Sequence, residues 1–256
     1  MIFNKFCCKL ICFLYQLKNT TSRYNSSLIH MTIQRPNQKD LKRSDWDDFI
    51  NAINSMHGIG TPSPAYRDFV RLHSDAMSPV GMSWRVHTMP PGMTGVNFLA
   101  WHRQFIYAFE KRLGLPLPYW NWIEDPEIPS RLNNARLLSD WGVTREFDRN
   151  HMPTHDQLDS EIRRKIFYVF QSVLEGGVHN SVHNAVGGTM KTASSPADPL
   201  FFLHHTNIDR IWSEWQVKNP RSNPRNKNET LQRPPIEGVK VSSVLNIKSM
   251  GYSYLT

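Results

Sequence analysis

Cysteine is almost missing from this sequence. The chain has 256 residues but only three cysteines, at Cys7, Cys8 and Cys12. From residue 13 onward there is therefore no thiol that could form a disulfide, bind a metal as thiolate or act as a nucleophile. Any metal site in the body of the chain must be built from histidine or carboxylate side chains.

A concentrated patch of one charge is also lacking. The formal net charge of +8 comes from 30 basic and 22 acidic residues that are spread along the chain. The densest basic run of the body, residues 163–165, is short and has no interleaved aromatic residues on which bases could stack. We therefore expect no nucleic-acid partner. The hydrophobic fraction of 39% is typical of a globular protein.

Long apolar runs are absent as well. The first residues, MIFNKFCCKLICFLYQLKN, are interrupted by Lys9 and Gln16 and are too short and polar to span a membrane. If this segment is a targeting signal, the protein is secreted; if it is a disordered extension, the protein is cytoplasmic, and both interpretations stay open. We predict an N-terminal extension over residues 1–32 and one domain over residues 33–256.

Helical periodicity dominates that domain. After Ser44, a residue type that favours an N-cap, apolar residues recur at helical spacing until Gly58, which predicts a helix over residues 43–56. The same reasoning predicts further helices over residues 65–77, 97–113, 160–174, 179–186 and 196–216. The intervening segments are rich in proline, glycine and asparagine, and the C-terminal part offers one short strand. We predict a mainly α fold with long loops and minor strands.

The arrangement of the histidines predicts a metal site. His179 and His183, in HNSVH, are one helical turn apart, with Cβ atoms about 6 Å apart, so both rings can reach one ion. His205 ends the apolar run LFFLHH, where an imidazole costs free energy unless its nitrogen atoms are satisfied. His102, in FLAWHRQF, and His73, after FVRL, repeat this arrangement upstream. Two clusters of imidazole without thiolate favour copper or zinc.

These motifs resemble those of the tyrosinase family. The run from HNSVH to SEWQ (residues 179–216) resembles the family's second copper-binding motif, and NFLAWHRQFIYAFEKRL (97–113) resembles the first. PYWNW (118–122), RPNQKDL (35–41) and GYSY (251–254) are similar to further landmarks. The resemblance covers roughly residues 33 to 256. A family cysteine near the first site is missing, as in bacterial members.

The resemblance implies an antiparallel four-helix bundle that encloses two copper ions, with O2 as the co-substrate bound between them. Each copper ion is expected to have three histidine ligands. By resemblance, one ion is held by His179, His183 and His205, and the other by His73, His102 and a third residue. His204 would then face away from the metals.

The third ligand of that other copper ion departs from the family pattern. The family usually has it nine residues before the histidine of WHR, and Met93 occupies that position here. His87 is the histidine that lies between His73 and His102 in the sequence. Either His87 reaches the site on a rearranged loop, or the thioether of Met93 replaces it, which would favour Cu(I) and hinder redox cycling. We predict His87, because the other motifs are intact.

The resemblance also implies an activity, the copper-dependent oxidation of monophenols, o-diphenols or both to o-quinones by O2. The partner is then a small phenolic substrate. In the family a glutamate and an asparagine hold a water for deprotonating the phenol; Asn180 matches the asparagine by position, and Glu175 is the only nearby carboxylate, on a loop that is short here. The plainer interpretations are a surface amide and a helix-end carboxylate. A catalytically impaired relative or a haemocyanin-like oxygen carrier is the alternative. A copper-delivery protein and the oligomeric state stay open.

Overall fold

The structure, a computed structural model, describes residues 32–59, 65–88, 94–233 and 238–255. The helices α1 to α8 of this part of the chain are Arg43–His57, Ala65–Ala76, Phe98–Leu113, Ala135–Trp141, His155–Ile162, Phe167–Leu174, Asn180–Val186 and Leu200–Lys218. Two short strands, β1 (Ile33–Arg35) and β2 (Tyr252–Tyr254), pair in parallel. The predicted extension lies almost wholly outside the described residues. Among the described helices, none is long and apolar enough to cross a membrane.

The fold is the predicted antiparallel four-helix bundle, connected by long loops. Helices α3 and α8 form its aromatic centre, where Phe109 stacks on Phe202 with ring planes only 10° apart. Phe105 packs on the same ring, with centroids 5.9 Å apart. Burying an aromatic side chain contributes roughly 1.5–3 kcal/mol each, so this stack fixes how the two helices face each other. Both helices carry histidines of the predicted site.

A buried ionic cluster ties both ends of the described chain to the bundle. Arg35 of β1 donates to both carboxylate oxygens of Glu110 on α3, at 2.9 and 2.8 Å. It also contacts Asp209 of α8 at 3.2 Å, and Asp209 accepts a further bond from Tyr252 at 2.7 Å. Arg103 completes the charge balance around Asp209. The conspicuous RPNQKDL and GYSY segments therefore meet on the bundle, where their charges and hydroxyls are satisfied.

The N-cap of α1 differs from the prediction, although the helix does include the predicted first residue, Arg43. The helix begins one residue before Ser44, and Lys42 takes the N-cap position. The carboxylate of Asp45 accepts the main-chain N–H of Lys42 at 2.9 Å, which satisfies a donor at the helix start without the serine hydroxyl. The predicted end at Gly58 is confirmed, with a left-handed conformation at φ 79°.

The single helix predicted over residues 160–174 was wrong. The structure divides this region into α5 and α6, with an exposed break at residues 163–166. Trp215 of α8 donates its indole N–H to the main-chain carbonyl of Arg164 at 2.7 Å. A continuous helix would use that carbonyl for its own hydrogen bond, so the tertiary contact replaces the local one.

Between α6 and α7 the chain forms one π-helical turn, Glu175–His179. Gly177 within it has non-helical angles of φ −98° and ψ −111°. A Cβ atom on Gly177 would lie 1.9 Å from Oε1 of the buried Glu161. That carboxylate accepts the main-chain N–H of Val178 at 3.1 Å. The glycine therefore gives Glu161 access to the turn, and such turns are frequent at functional sites.

Candidate metal centre

The first histidine cluster lies between α2, α3 and the loop that follows Trp84. It contains His73 of α2, His87 of the loop and His102 of α3, and all three side chains are buried. Their potential ligand nitrogen atoms lie within 4.8 Å of one another. Their ring centroids are 5.2, 4.9 and 5.7 Å apart. The structure thus brings His87 to the predicted site, while Met93 lies outside the described residues.

The second cluster lies between the π-helical turn, α7 and α8. His179 ends the turn, His183 follows it on α7, and their ring centroids are 4.6 Å apart. His205 of α8 lies 5.0 Å from the ring of His179 and 5.6 Å from that of His183. The spacing in HNSVH therefore places two rings together as predicted, and the fold adds the third.

The two clusters face each other across a narrow space. The rings of His102 and His205 stack with centroids 4.4 Å apart and planes 13° from parallel. Phe98 packs against His102 and His179, at 4.8 Å from each. Phe201 covers His205 at 4.1 Å. These apolar side chains keep water from the backs of the rings, so that the open direction is the shared space.

Main-chain carbonyl groups fix the tautomer of four rings. The pairs of Nδ1 atom and carbonyl group are His73 with Ala193 (2.8 Å), His102 with Phe98 (2.8 Å), His179 with Glu175 (3.0 Å) and His183 with Met190 (2.6 Å). A carbonyl oxygen can only accept, so each Nδ1 must carry the hydrogen. In a neutral imidazole, the lone pair is then on Nε2, which is the arrangement found in metal-binding histidines.

The donor set fits a metal ion. The Nε2 atoms of His87, His102 and His179 are buried and have no hydrogen-bond partner among the described residues. Each buried polar atom left without a partner costs roughly 1–3 kcal/mol. A metal ion bound at Nε2 would remove that cost. One group of three imidazoles and one of four, which includes His204, contain no thiolate or carboxylate and suit copper or zinc rather than magnesium or calcium.

The electrostatics favour the same conclusion. Burial lowers the pKa of His73, His102, His179 and His205 well below the usual value, and neighbouring imidazoles lower it further. Burial also lowers the pKa of His183 to about 4. These rings are therefore neutral near pH 7. Neutral imidazole is the form that binds a metal, so no proton needs to leave before the ion enters.

His204 does not face away from the cluster, contrary to expectation. Its ring stacks on that of His179, with centroids 5.3 Å apart, and its nitrogen atom lies within the second group. Trp122, however, donates its indole N–H to Nδ1 of His204 at 3.2 Å. Because Nδ1 accepts, the neutral ring carries its hydrogen on Nε2. His204 therefore lacks the free Nε2 lone pair that its neighbours offer.

A cavity of about 240 Å³ opens onto the histidines from one side. It is lined by His73, His87, His179, His183, Asn180, Asn184, Met77, Met190, Lys191, Thr192 and Ser195. The predicted Asn180 is exposed at this cavity, next to His179. Glu175 is not among the described residues that line it. Its carboxylate is buried and accepts the N–H and the hydroxyl of Thr88, both at 2.8 Å.

Several partners of the site were missed in the sequence. Thr88, next to His87, binds Glu175, and Trp122 binds His204; both are far in sequence from the residues they bind. Lys191 was missed too, although it follows the glycine pair after HNSVH. It is the one lysine or arginine among the described lining residues. The signal in the sequence was the position of Lys191 between HNSVH and LFFLHH, the two histidine-containing parts of the second motif.

Comparison with known proteins gives one consistent family. The family model described as the common central domain of tyrosinase matches residues 63–141 and 129–218. Tyrosinase from Streptomyces antibioticus is 31% identical, over 75% of this chain and 85% of that protein. Tyrosinase from Streptomyces galbus is 29% identical, over 74% and 85%. Hemocyanin 2 from Megathura crenulata is 30% identical over 56% of this chain, but over only 5% of that much longer protein.

Solved structures share the fold. A functional unit of octopus hemocyanin matches with a TM-score of 0.67 at 21% identity, over 88% of this chain and 68% of that chain. A polyphenol oxidase variant from Thermothelomyces thermophila matches with a TM-score of 0.65 at 17% identity, over 88% and 89%. At these identities the likeness concerns the fold, which an oxygen carrier and an oxidase both use.

Proposed function

Because the chain belongs to the tyrosinase family, we propose that it oxidises phenols to o-quinones with O2 at a centre of two copper ions. The observation that carries the proposal is the pair of facing histidine clusters, in which the buried Nε2 atoms of His87, His102 and His179 have no hydrogen-bond partner among the described residues. The proposed ligands are His73, His87 and His102 for one copper ion and His179, His183 and His205 for the other. When bound, copper supplies the redox chemistry that activates O2 and takes up the electrons of the phenol.

The protein contributes position and shielding. Main-chain carbonyls hold four of the rings so that Nε2 faces the shared space, and Phe98 and Phe201 shield the other faces of His102 and His205 from water. The cavity of about 240 Å³ is smaller than the roughly 300–1,000 Å³ of sites for drug-sized ligands. It therefore suits a single aromatic ring. The carbonyl oxygen of Asn180 can accept a hydrogen bond from the phenol hydroxyl or from a water beside it.

Atoms and electrons balance for both substrate types. A catechol loses two electrons and two protons, and half an O2 takes them up as one water. A monophenol gains one oxygen atom of O2, and the second atom leaves as water with the formation of the o-quinone. Which of the two reactions this chain performs is part of the proposal and is decided by assay with tyramine and catechol.

The test begins with copper. Reconstituted protein, freed of loosely bound metal, should hold two copper ions per chain and consume O2 with catechol. The His87→Ala variant should hold one ion and lose turnover, because a coupled pair is needed. A wild-type protein with one copper ion, or two copper ions without catechol oxidation, would refute the proposed oxidase.

A second candidate is a haemocyanin-like oxygen carrier, favoured by the likeness to the octopus unit. Reversible oxygenation without catechol turnover would support it. Catechol turnover would exclude a mere carrier. Oxidase activity is our first proposal, because the relatives covered over most of their length are named tyrosinases.

A further inference from the structure

His87 is held differently from most of the other proposed ligands. Four of them donate Nδ1–H to a main-chain carbonyl, whereas His87 lies on a loop outside the α-helices and has no such bond. Its Nδ1 instead lies 3.6 Å from Oε1 of Glu175. That distance is beyond a hydrogen bond, so the ring needs a further constraint to stay in place.

The constraint lies in the next residue of the loop. Glu175 Oε1 accepts the main-chain N–H of Thr88 at 2.8 Å, and Oε2 accepts its hydroxyl at 2.8 Å. Hydrogen bonds to a carboxylate are about twice as strong as those between neutral groups, and two such bonds to one residue also fix its orientation. The main chain that carries His87 is thus held from one side by a buried anion. The same anion favours N–H at Nδ1 of His87 and so leaves its Nε2 lone pair free.

The hydrogen bonds extend from Thr88 to the other arm of the loop. The hydroxyl of Thr88 also accepts the N–H of Gly95 at 3.1 Å, and Gln171 donates to the carbonyl of Gly95 at 2.9 Å. Gln171, in the last turn of α6, and Glu175, the first residue of the π-helical turn, are one helical turn apart. A Cβ on Gly95 would lie 2.8 Å from the carbonyl carbon of His87, so the two arms of the loop touch. The junction of α6 and the π-helical turn therefore holds both arms of the loop that presents His87.

Glu175 also contacts the second cluster. Its main-chain carbonyl accepts Nδ1–H of His179 at 3.0 Å. The side chain of Glu175 thus supports the loop of the first cluster, and its main-chain carbonyl binds a histidine of the second cluster. We propose that Glu175 is a positioning residue that joins the two metal sites, an inference that rests on the proposed dicopper function. Its side chain fixes His87 through Thr88, and its main-chain carbonyl orients His179 directly.

Substitution of Glu175 separates the effect of its side chain on His87 from the effect of its main-chain carbonyl on His179. Glu175→Gln loses the negative charge and keeps one acceptor oxygen, so only neutral hydrogen bonds can replace the two charge-assisted bonds to Thr88, while the carbonyl toward His179 is unchanged. Loss of partners that orient a ligand typically costs 10–100-fold in metal affinity. We therefore expect the affinity for one copper ion to fall at least tenfold and the affinity for the other to stay unchanged.

Thr88 supplies a milder variant with a matched control. It is exposed, so substitution there should leave the fold intact. Thr88→Val removes the hydroxyl at nearly constant volume and should weaken the same copper ion several-fold. Thr88→Ser keeps the hydroxyl and should restore wild-type affinity, which a loss of packing alone would not explain.

The measurement is copper retained per chain during titration with a Cu²⁺ chelator, together with nitrogen NMR of the histidine rings in metal-free protein. In the wild type, the hydrogen of His87 should be on Nδ1, and Glu175→Gln should shift this tautomer balance. The inference would be overturned if Glu175→Gln and Thr88→Val retained both copper ions as well as the wild type does. It would also be overturned by a wild-type His87 that carries its hydrogen on Nε2. If wild-type protein failed to bind two copper ions, the proposed function would be wrong, and the NMR result would still decide the role of Glu175.

Discussion

Gly177 is a position where one added methyl group should disturb the second histidine cluster. In Gly177→Ala, the new Cβ would lie 1.9 Å from Oε1 and 2.7 Å from Cδ of Glu161, so that carboxylate must move. Glu161 is buried and accepts the main-chain N–H of Val178 at 3.1 Å. When it moves, that buried N–H loses its partner. The neighbouring Gly176 offers a matched control, because a Cβ there meets nothing within 4 Å.

The size of the effect follows mainly from the lost hydrogen bond. A buried donor left without its acceptor costs about 1–3 kcal/mol. Replacing glycine by alanine gains about 0.4–1 kcal/mol only where alanine adopts the native backbone angles without strain, and ψ −111° at Gly177 lies outside the regions allowed to alanine. Gly177→Ala should therefore lower the free energy of unfolding by about 1–3 kcal/mol. Gly176→Ala receives the gain alone and should be as stable as wild type or slightly more so.

Urea unfolding of the metal-free variants measures this difference, and copper per chain reports on the site. Val178 directly precedes His179, so movement there should also loosen the second copper ion in Gly177→Ala. Adding Glu161→Ala to Gly177→Ala removes the clash but not the lost acceptor, and should not restore stability. If Gly177→Ala proves as stable as Gly176→Ala and retains both copper ions equally well, the contact between Glu161 and the π-helical turn does not support the site.

Three further predictions concern the histidines and the cavity. His205→Ala should hold one copper ion per chain and His204→Ala two, since Nδ1 of His204 is already an acceptor; equal losses by elemental analysis would contradict this. The pKa of His183 is about 4 when folded and near 6.5 when unfolded, so the unfolded state binds more protons between these values. Metal-free protein should therefore lose stability as the pH falls from 6.5 to 4, by about 3 kcal/mol from this ring, and a flat urea profile over that range would refute it. Lys191→Gln should lower kcat/KM about fivefold for catechols that carry a carboxylate, matching about 1 kcal/mol for an exposed charge pair, and leave uncharged catechol unaffected. Lys218→Gln, outside the cavity, is the control, and an equal loss there would show that only net charge matters.

Local spacing explains what could be predicted from the sequence. Two histidines four residues apart on a helix must share a face, so the pairing of His179 with His183 needed no tertiary information. Apolar periodicity likewise predicted α3 and α8, and the family motifs then supplied the fold. His87 could be selected as a candidate only because other histidines were lacking between His73 and His102.

Long-range contacts explain what could not be predicted. The bond from Trp122 to His204 joins residues 82 positions apart, and that from Thr88 to Glu175 joins residues 87 apart. Neither leaves a periodic signal. The break between α5 and α6 has the same origin, since Trp215 takes the carbonyl of Arg164 for itself. Only in the last of these cases does a tertiary hydrogen bond replace a local one; the other two simply join residues that the sequence separates.

The choice between oxidase and oxygen carrier rests on the entrance rather than on the histidines. Both classes of protein use this fold, so ligand geometry cannot separate them. O2 is small and apolar, and it gains nothing from amide or ammonium groups at the mouth of a site. The cavity of about 240 Å³ nevertheless presents Asn180, Asn184 and Lys191 beside the rings. Convergent polar groups around a cavity of this size are what a small polar ligand requires, and a phenol supplies both the ring and the hydroxyl that would use them.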